Sequence, residues 1–169
     1  IGLAESLERY YEDHHNIYGQ LKGSTILITN RSPITVQLTM ESKPNTMKSL
    51  LREPCSDDLD PNKDVRFDLY DLGCVLYEVA TQKPYDPHSH VLLSNMGENN
   101  AIIPITIELI LQKLLFKQPN DRYQTFQGLL FDLRKAKTQL EMENQIGFFM
   151  PGQRDKRNTL TFENFLYGR

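Results

Sequence analysis

Few residues in this sequence have the chemistry of metal ligands or nucleophiles, and their spacing does not gather them into a site. The four histidines form one adjacent and one alternating pair, with no cysteine or carboxylate at coordinating spacing: His14, His15, His88 and His90. We therefore expect them to be solvent-exposed and not to hold zinc. Cys55 and Cys74 lie far apart without a Cys-x-x-Cys pattern, which argues against a disulfide framework. We expect Cys74 to pack in the core and Cys55 to be a free thiol.

The composition is that of a globular protein of moderate size. The 169 residues have room for one domain with a moderate core, or for a piece of a larger one. They are 39% apolar and 24% charged, which is near the globular averages. A net charge of −3 gives no electrostatic reason to bind nucleic acid or an anionic membrane. No apolar run approaches about 18 residues and no signal segment opens the sequence, so we expect a soluble, cytoplasmic protein. Because it begins with Ile1, we expect an excised or incomplete product.

Hydrophobic spacing predicts a mainly α protein with a small β component. Helices are predicted over 3–13, 64–81, 105–117 and 126–142, and short strands over 26–28 and 34–39, with a polar loop from 41 to 64. The helix over 64–81 is apolar around most of its circumference, so we place it at the centre of the domain. Four polar residues are expected to keep one side of it in water: Asp64, Arg66, Asp71 and Glu78.

This central helix resembles the one in the large lobe of eukaryotic-type protein kinases. The matching positions are Asp68, Tyr70, Leu72, Gly73, Leu76, Tyr77 and Glu78. A second kinase-like segment, a turn, follows later in the chain. Its matching positions are Leu115, Gln118, Pro119, Arg122 and Tyr123. The resemblance covers residues 3–142 and implies the helical C-terminal lobe of the kinase fold. The sequence has no G-x-G-x-x-G and no V-A-I-K lysine, so the nucleotide-clamping small lobe is absent from it.

The segment 14–28 aligns without gaps with the kinase catalytic segment. In this alignment Tyr18 takes the place of the histidine, Gly19 that of the arginine and Gln20 that of the catalytic aspartate. Lys22 is retained, and Thr25 stands where a metal-binding asparagine is usual. The later strand leads to Met40, which stands where an aspartate would bind magnesium.

These replacements remove the chemistry that phosphoryl transfer needs in the family. Gln20 can accept a hydrogen bond, but its amide cannot act as a base near neutral pH. Thr25 offers one hydroxyl, a weaker ligand than an asparagine carbonyl, and the Met40 thioether does not suit magnesium. Lys22 alone keeps a charge that could meet a phosphate.

The resemblance implies structural roles for four residues: Asp68, Gly73, Pro54 and Arg122. The family pattern implies that Asp68 receives backbone N–H groups from the 18–20 loop. The kinase A-P-E motif, here Glu53-Pro54-Cys55, normally supplies a glutamate that pairs with Arg122. Cys55 replaces that glutamate, so we expect Arg122 to use another acceptor: Glu53, Asp57 or a backbone carbonyl.

We therefore predict a catalytically inactive, kinase-like domain over residues 1–143, followed by an extended linker over 144–169. It is predicted not to be an enzyme and to use no cofactor or metal. We expect it to bind ATP weakly or not at all. Its predicted role is that of an interaction or regulatory module on a protein partner or neighbouring domain. The alternatives are an active or ATP-binding serine/threonine-type kinase domain with its small lobe elsewhere, and an unrelated helical binding module. The ending is similar to the connector before an AAA-type ATPase domain in large multidomain signalling kinases.

Overall fold

The structure is a computed structural model that describes residues 1–19, 21–31, 34–39, 64–87 and 103–156. In chain order these form α1 (Gly2–His14), a 3₁₀ turn (Gly23–Thr25), β1 (Ile26–Arg31), β2 (Ile34–Leu38), α2 (Val65–Thr81), α3 (Ile105–Leu114), a second 3₁₀ turn (Pro119–Asp121) and α4 (Phe126–Glu143). The described part is mostly helical with one two-stranded sheet. This confirms the predicted mainly α architecture with a small β component, as in the helical lobe of a kinase.

Helix α2 lies at the centre, where the sequence placed it. Its apolar positions pack with α1, α3 and α4 into one core, and the most completely buried side chains include Leu7, Leu69, Leu72, Leu114 and Leu129. Burying such side chains contributes about 1.5–3 kcal/mol each. The helix ends at Thr81, and the next residue, Gln82, has a φ of 59° that turns the chain out of the helical conformation.

The predicted polar side of α2 is wrong at its first turn. Asp64 and Arg66 are 5% and 2% exposed, because they form a buried ion pair with each other. Glu78 is exposed as expected, and the apolar side chain of Val79 beside it is 65% exposed. A buried charge needs a partner with good geometry, and hydrophobic spacing does not reveal that partner.

Strands β1 and β2 form an antiparallel pair that continues from the loop after α1. The register pairs Ile26 with Leu38 and Ile28 with Val36, and it shifts between Ile28 and Asn30. Helix α1 contacts β2 on one side and α4 on another. The sheet therefore stands directly beside the loop that the sequence aligns with the kinase catalytic segment.

Residues 146–156 lie back against α3 and α4. Phe149 is buried in the same core as Leu114 and Leu129, and the backbone of Gly147 accepts a hydrogen bond from Thr106 Oγ1 at 2.8 Å. The described part of the predicted linker is thus packed on the helices. The domain division at residue 143 stays a prediction.

Gly73 allows the close approach of α2 to α3, and replacing it tests this packing. A Cβ atom at this position would lie 2.8 Å from Leu114 Cβ. We expect Gly73→Ala to lower the free energy of unfolding by about 1–3 kcal/mol, because overpacking forces the helices apart. Gly23→Ala is the control, since a Cβ there has nothing within 4 Å. Equal denaturation midpoints for the two variants would contradict the assignment.

Candidate functional site

The candidate site is built on Asp68, which lies in the first turn of α2 and is fully buried. Its Oδ2 accepts a hydrogen bond from the Tyr18 backbone N–H at 2.6 Å, and its Oδ1 accepts one from Gly19 N–H at 2.8 Å. Carboxylate hydrogen bonds of this kind are short and strong, and a buried carboxylate requires them. Gly19 has a φ of 71°, which favours glycine where the kinase pattern has arginine. The loop backbone is therefore held on the central helix.

Tyr18 extends this connection to the end of β2. Its hydroxyl donates to the Thr39 carbonyl at 2.6 Å, and its ring packs edge-on against Tyr10 with centroids 5.3 Å apart. Thr39 N–H in turn donates to the Thr25 carbonyl at 2.9 Å. Central helix, loop, 3₁₀ turn and strand end are therefore joined by hydrogen bonds. Met40 follows Thr39 directly in the sequence.

The Thr25 hydroxyl closes the turn that follows the loop. Thr25 is 1% exposed; its Oγ1 accepts from Lys22 N–H at 3.0 Å and donates to the Lys22 carbonyl at 2.9 Å. The hydroxyl is thereby committed to the backbone of Lys22. The Lys22 side chain is exposed. Of the predicted site residues, the structure thus brings Lys22, Thr25 and Asp68 into one connected region, while Gln20, Met40 and Pro54 lie outside the described residues.

Arg122 lies between α3 and α4 and is 4% exposed. Its Nε donates to the Phe116 carbonyl at 2.6 Å and its Nη2 to the Lys117 carbonyl at 3.0 Å. The guanidinium also lies 4.2 Å from the centre of the Tyr70 ring. Backbone carbonyls were among the acceptors expected for this arginine. The other expected acceptors, Glu53 and Asp57, lie outside the described residues.

Arg66 connects the start of α2 to the turn that carries Arg122, and the sequence analysis missed this role. Its Nε lies 2.9 Å and 3.0 Å from the two carboxylate oxygens of Asp64, and its Nη1 donates to Asn120 Oδ1 at 2.6 Å. Asp64 also caps α2 by accepting from Arg66 N–H at 3.0 Å. The sequence signal that could have indicated this ion pair was an aspartate at the N-cap position, two residues before an arginine.

No metal centre is formed by the described residues, in which no group of three His, Cys, Asp or Glu could hold an ion. His14 and His15 are exposed, and His14 stacks on Tyr10 at 4.2 Å. His88 and His90 lie outside the described residues. In the part of the chain that the structure describes, no helix is long and apolar enough to span a bilayer.

A groove of about 530 Å³ lies between α1 and α4, away from the loop residues just described. Glu8, Leu130, Phe131 and Arg134 are among its lining residues. Partial burial raises the pKa of Glu8, and the nearby Glu12 carboxylate adds to the rise. None of the predicted site residues lines this groove.

Comparison with known proteins finds similarity to kinases over part of the chain. A hybrid signal transduction histidine kinase G of Dictyostelium discoideum is 35% identical over 94 residues, which is 48% of this chain and 3% of that protein. A probable serine/threonine-protein kinase of Clostridium acetobutylicum is 34% identical over 84 residues, covering 44% of this chain and 13% of that kinase. The serine/threonine-protein kinase PknB of Mycolicibacterium smegmatis is 36% identical over 80 residues, covering 41% and 13%. No family model matches.

These relatives correct one prediction. The chain was predicted not to be an enzyme, but the bacterial relatives are named serine/threonine-protein kinases, which points toward kinase activity. The alternative of an unrelated helical module is also disfavoured, because it gives no reason for Asp68 to hold two successive N–H groups some 50 residues away. The chain spans only 3–13% of the length of these relatives. Part of it is a region similar to serine/threonine protein kinases.

The attachment of the loop to α2 can be tested by removing the charge of Asp68. We expect Asp68→Asn to cost about 1–3 kcal/mol of unfolding free energy, because the new amide group leaves a backbone N–H without its acceptor. Hydrogen exchange at the Tyr18 and Gly19 amides should accelerate. Asp13→Asn changes an exposed residue in the same way and serves as the control. Unchanged exchange at these two amides would refute the role.

The burial of Cys74 predicts an inert thiol. Burial raises its pKa to about 12, and the carboxylates of Asp71 and Glu78 add to the rise. The folded state therefore favours the protonated thiol, and this contribution to stability declines as pH rises above the ordinary thiol pKa. We expect native Cys74 to resist iodoacetamide at pH 8 and to react after unfolding, as measured by peptide mapping. Equal alkylation in both states would contradict this prediction.

Proposed function

We propose that this chain forms the large lobe of a serine/threonine-type protein kinase domain within a larger signalling protein. The observation that carries the proposal is the pair of hydrogen bonds from Tyr18 and Gly19 N–H to Asp68. They fix the loop that aligns with the kinase catalytic segment on the central helix. The partial identity to named serine/threonine kinases supports the same assignment.

The chemistry of phosphoryl transfer agrees with this use of the loop. Little covalent work is done by the protein, so positioning and electrostatic stabilisation supply most of the rate. Asp68 holds the loop backbone, and the Tyr18 hydroxyl connects it to Thr39. The exposed Lys22 ammonium is the charge on this loop that can meet a phosphate group.

Gln20 sets the expected rate. Its amide oxygen can orient a substrate hydroxyl by accepting a hydrogen bond, but it cannot take up the proton. General base catalysis typically contributes about 10²–10⁴-fold. We therefore propose transfer slower by that factor than in a kinase with an aspartate at this position.

The described residues do not fit a magnesium ion. Magnesium prefers hard oxygen ligands in octahedral geometry, and the Thr25 hydroxyl is already bonded to the Lys22 backbone. The part of the chain that the structure describes has no cluster of three acidic, histidine or cysteine ligands. We assign no step to a metal held by these residues.

A protein partner or neighbouring domain is part of the proposal. Leu27 and Ile28 on β1 are 48% and 62% exposed, and apolar side chains beside a functional loop commonly mark an interaction surface. The name of the Dictyostelium relative supports a place in signal transduction. A cytoplasmic location would give such a domain access to ATP.

The proposal is tested by phosphate transfer from ATP to serine- and threonine-containing peptides, with the longest natural polypeptide that contains this chain. We expect slow transfer that Lys22→Ala removes and that Gln20→Asp raises by about 10²-fold or more, since the aspartate restores a base. Gln145→Asp introduces the same charge at an exposed site after α4 and should leave the rate unchanged. No transfer by the folded Gln20→Asp variant would refute the proposal.

A further inference from the structure

The segment after α4, residues 147–155, runs back along the helices and is called the strap here. Phe149 lies in its middle and is 8% exposed, with Lys135 Nζ 4.3 Å from its ring centre. Thr106 Oγ1 donates to the Gly147 carbonyl at 2.8 Å. Toward its other end, the Arg154 guanidinium lies 4.4 Å from the centre of the Phe131 ring. The strap therefore contacts both α3 and α4.

The end of the strap is held at the start of α4 by Asp155. One carboxylate oxygen accepts from Gln124 N–H at 2.7 Å, and the other accepts from Thr125 N–H at 3.0 Å and from Thr125 Oγ1 at 2.9 Å. Gln124 and Thr125 directly precede α4, where the positive end of the helix dipole favours an anion. Asp155 supplies this anion from the strap.

Two further features fit the strap to the helices. Gly152 N–H donates at 2.6 Å to Asp132 Oδ2, a buried oxygen that also accepts from the Tyr123 hydroxyl at 2.6 Å. Gly128 leaves the space for Asp155, since a Cβ on Gly128 would lie 2.4 Å from Asp155 Oδ1. An alanine at position 128 would therefore displace Asp155 and break its hydrogen bonds to Gln124 and Thr125.

Gln124 connects the strap to the rest of the lobe. Its side-chain amide donates to the Pro119 carbonyl at 3.0 Å and to the Arg122 carbonyl at 2.7 Å. Its Oε1 lies 3.4 Å from Arg66 Nη1. The Asp155 contacts therefore act on the turn that packs against Arg66, and Arg66 holds the start of α2 through Asp64.

We propose that the strap is a latch: its release at Asp155 loosens the 119–124 turn and the first turn of α2, and so the attachment of the loop to Asp68. The proposal does not depend on phosphotransfer.

Gly128→Ala tests the latch without changing the strap sequence. In an ordinary helix this substitution favours helix formation by about 1 kcal/mol. Here it should displace Asp155 and speed tryptic cleavage after Arg154 about tenfold, because a locally opened segment is cut in proportion to its open population. Gly2→Ala is the matched control, since the nearest atom to its Cβ is 3.8 Å away. A Gly128→Ala variant with unchanged cleavage and a higher melting temperature would overturn the proposal.

Hydrogen exchange tests the connection to α2. In Asp155→Ala, exchange should accelerate at the Gln124 and Thr125 amides, at the first turn of α2 and at Tyr18 and Gly19. Asp121→Ala alters an exposed aspartate in the same turn and should not change these amides. Acceleration confined to residues 124–125 and the strap would overturn the coupling, whereas acceleration that reaches Tyr18 and Gly19 supports it.

Discussion

The burial of one carboxylate governs the candidate site. Asp68 is fully enclosed in the central helix, and an ionised group in such a place requires strong hydrogen bonds. Two of these come from the backbone of Tyr18 and Gly19, so moving the loop away from α2 would remove two hydrogen-bond donors from the buried carboxylate. This constraint acts on backbone atoms. It therefore persists although the side chains of the loop differ from those of the kinase pattern.

Hydrogen-bonded polar groups also connect other described segments that are distant in sequence. Arg66 connects the first turn of α2 to Asn120, and Asp155 connects the strap to the start of α4. The hydrophobic effect that packs the helices together is non-directional and does not fix one arrangement. Hydrogen-bonded charges then select one arrangement among similarly packed ones, because a misplaced partner leaves a buried charge unsatisfied.

Hydroxyl groups and one unusual backbone conformation shape the loop. Tyr18 retains a polar contact with the strand end through its hydroxyl, and Thr25 uses its hydroxyl to close the Lys22 turn. Gly19 adopts a left-handed conformation that an arginine would enter only at a cost. These three residues therefore hold the geometry of the loop.

The sequence by itself determined the four described helices, the two short strands and the central place of α2, because hydrophobic periodicity and turn residues report local structure. Through the kinase resemblance it also identified Asp68 and Arg122 as residues that need partners. The relatives, and not the residue pattern, overturned the prediction of a non-enzyme. Only the tertiary structure decided that Asp64 and Arg66 are buried together, that Thr25 is committed to the loop backbone and that residues 147–155 pack as a strap. Each of these depends on a specific partner, in most cases brought from a distant segment, and hydrophobic spacing carries no information about which polar groups will meet.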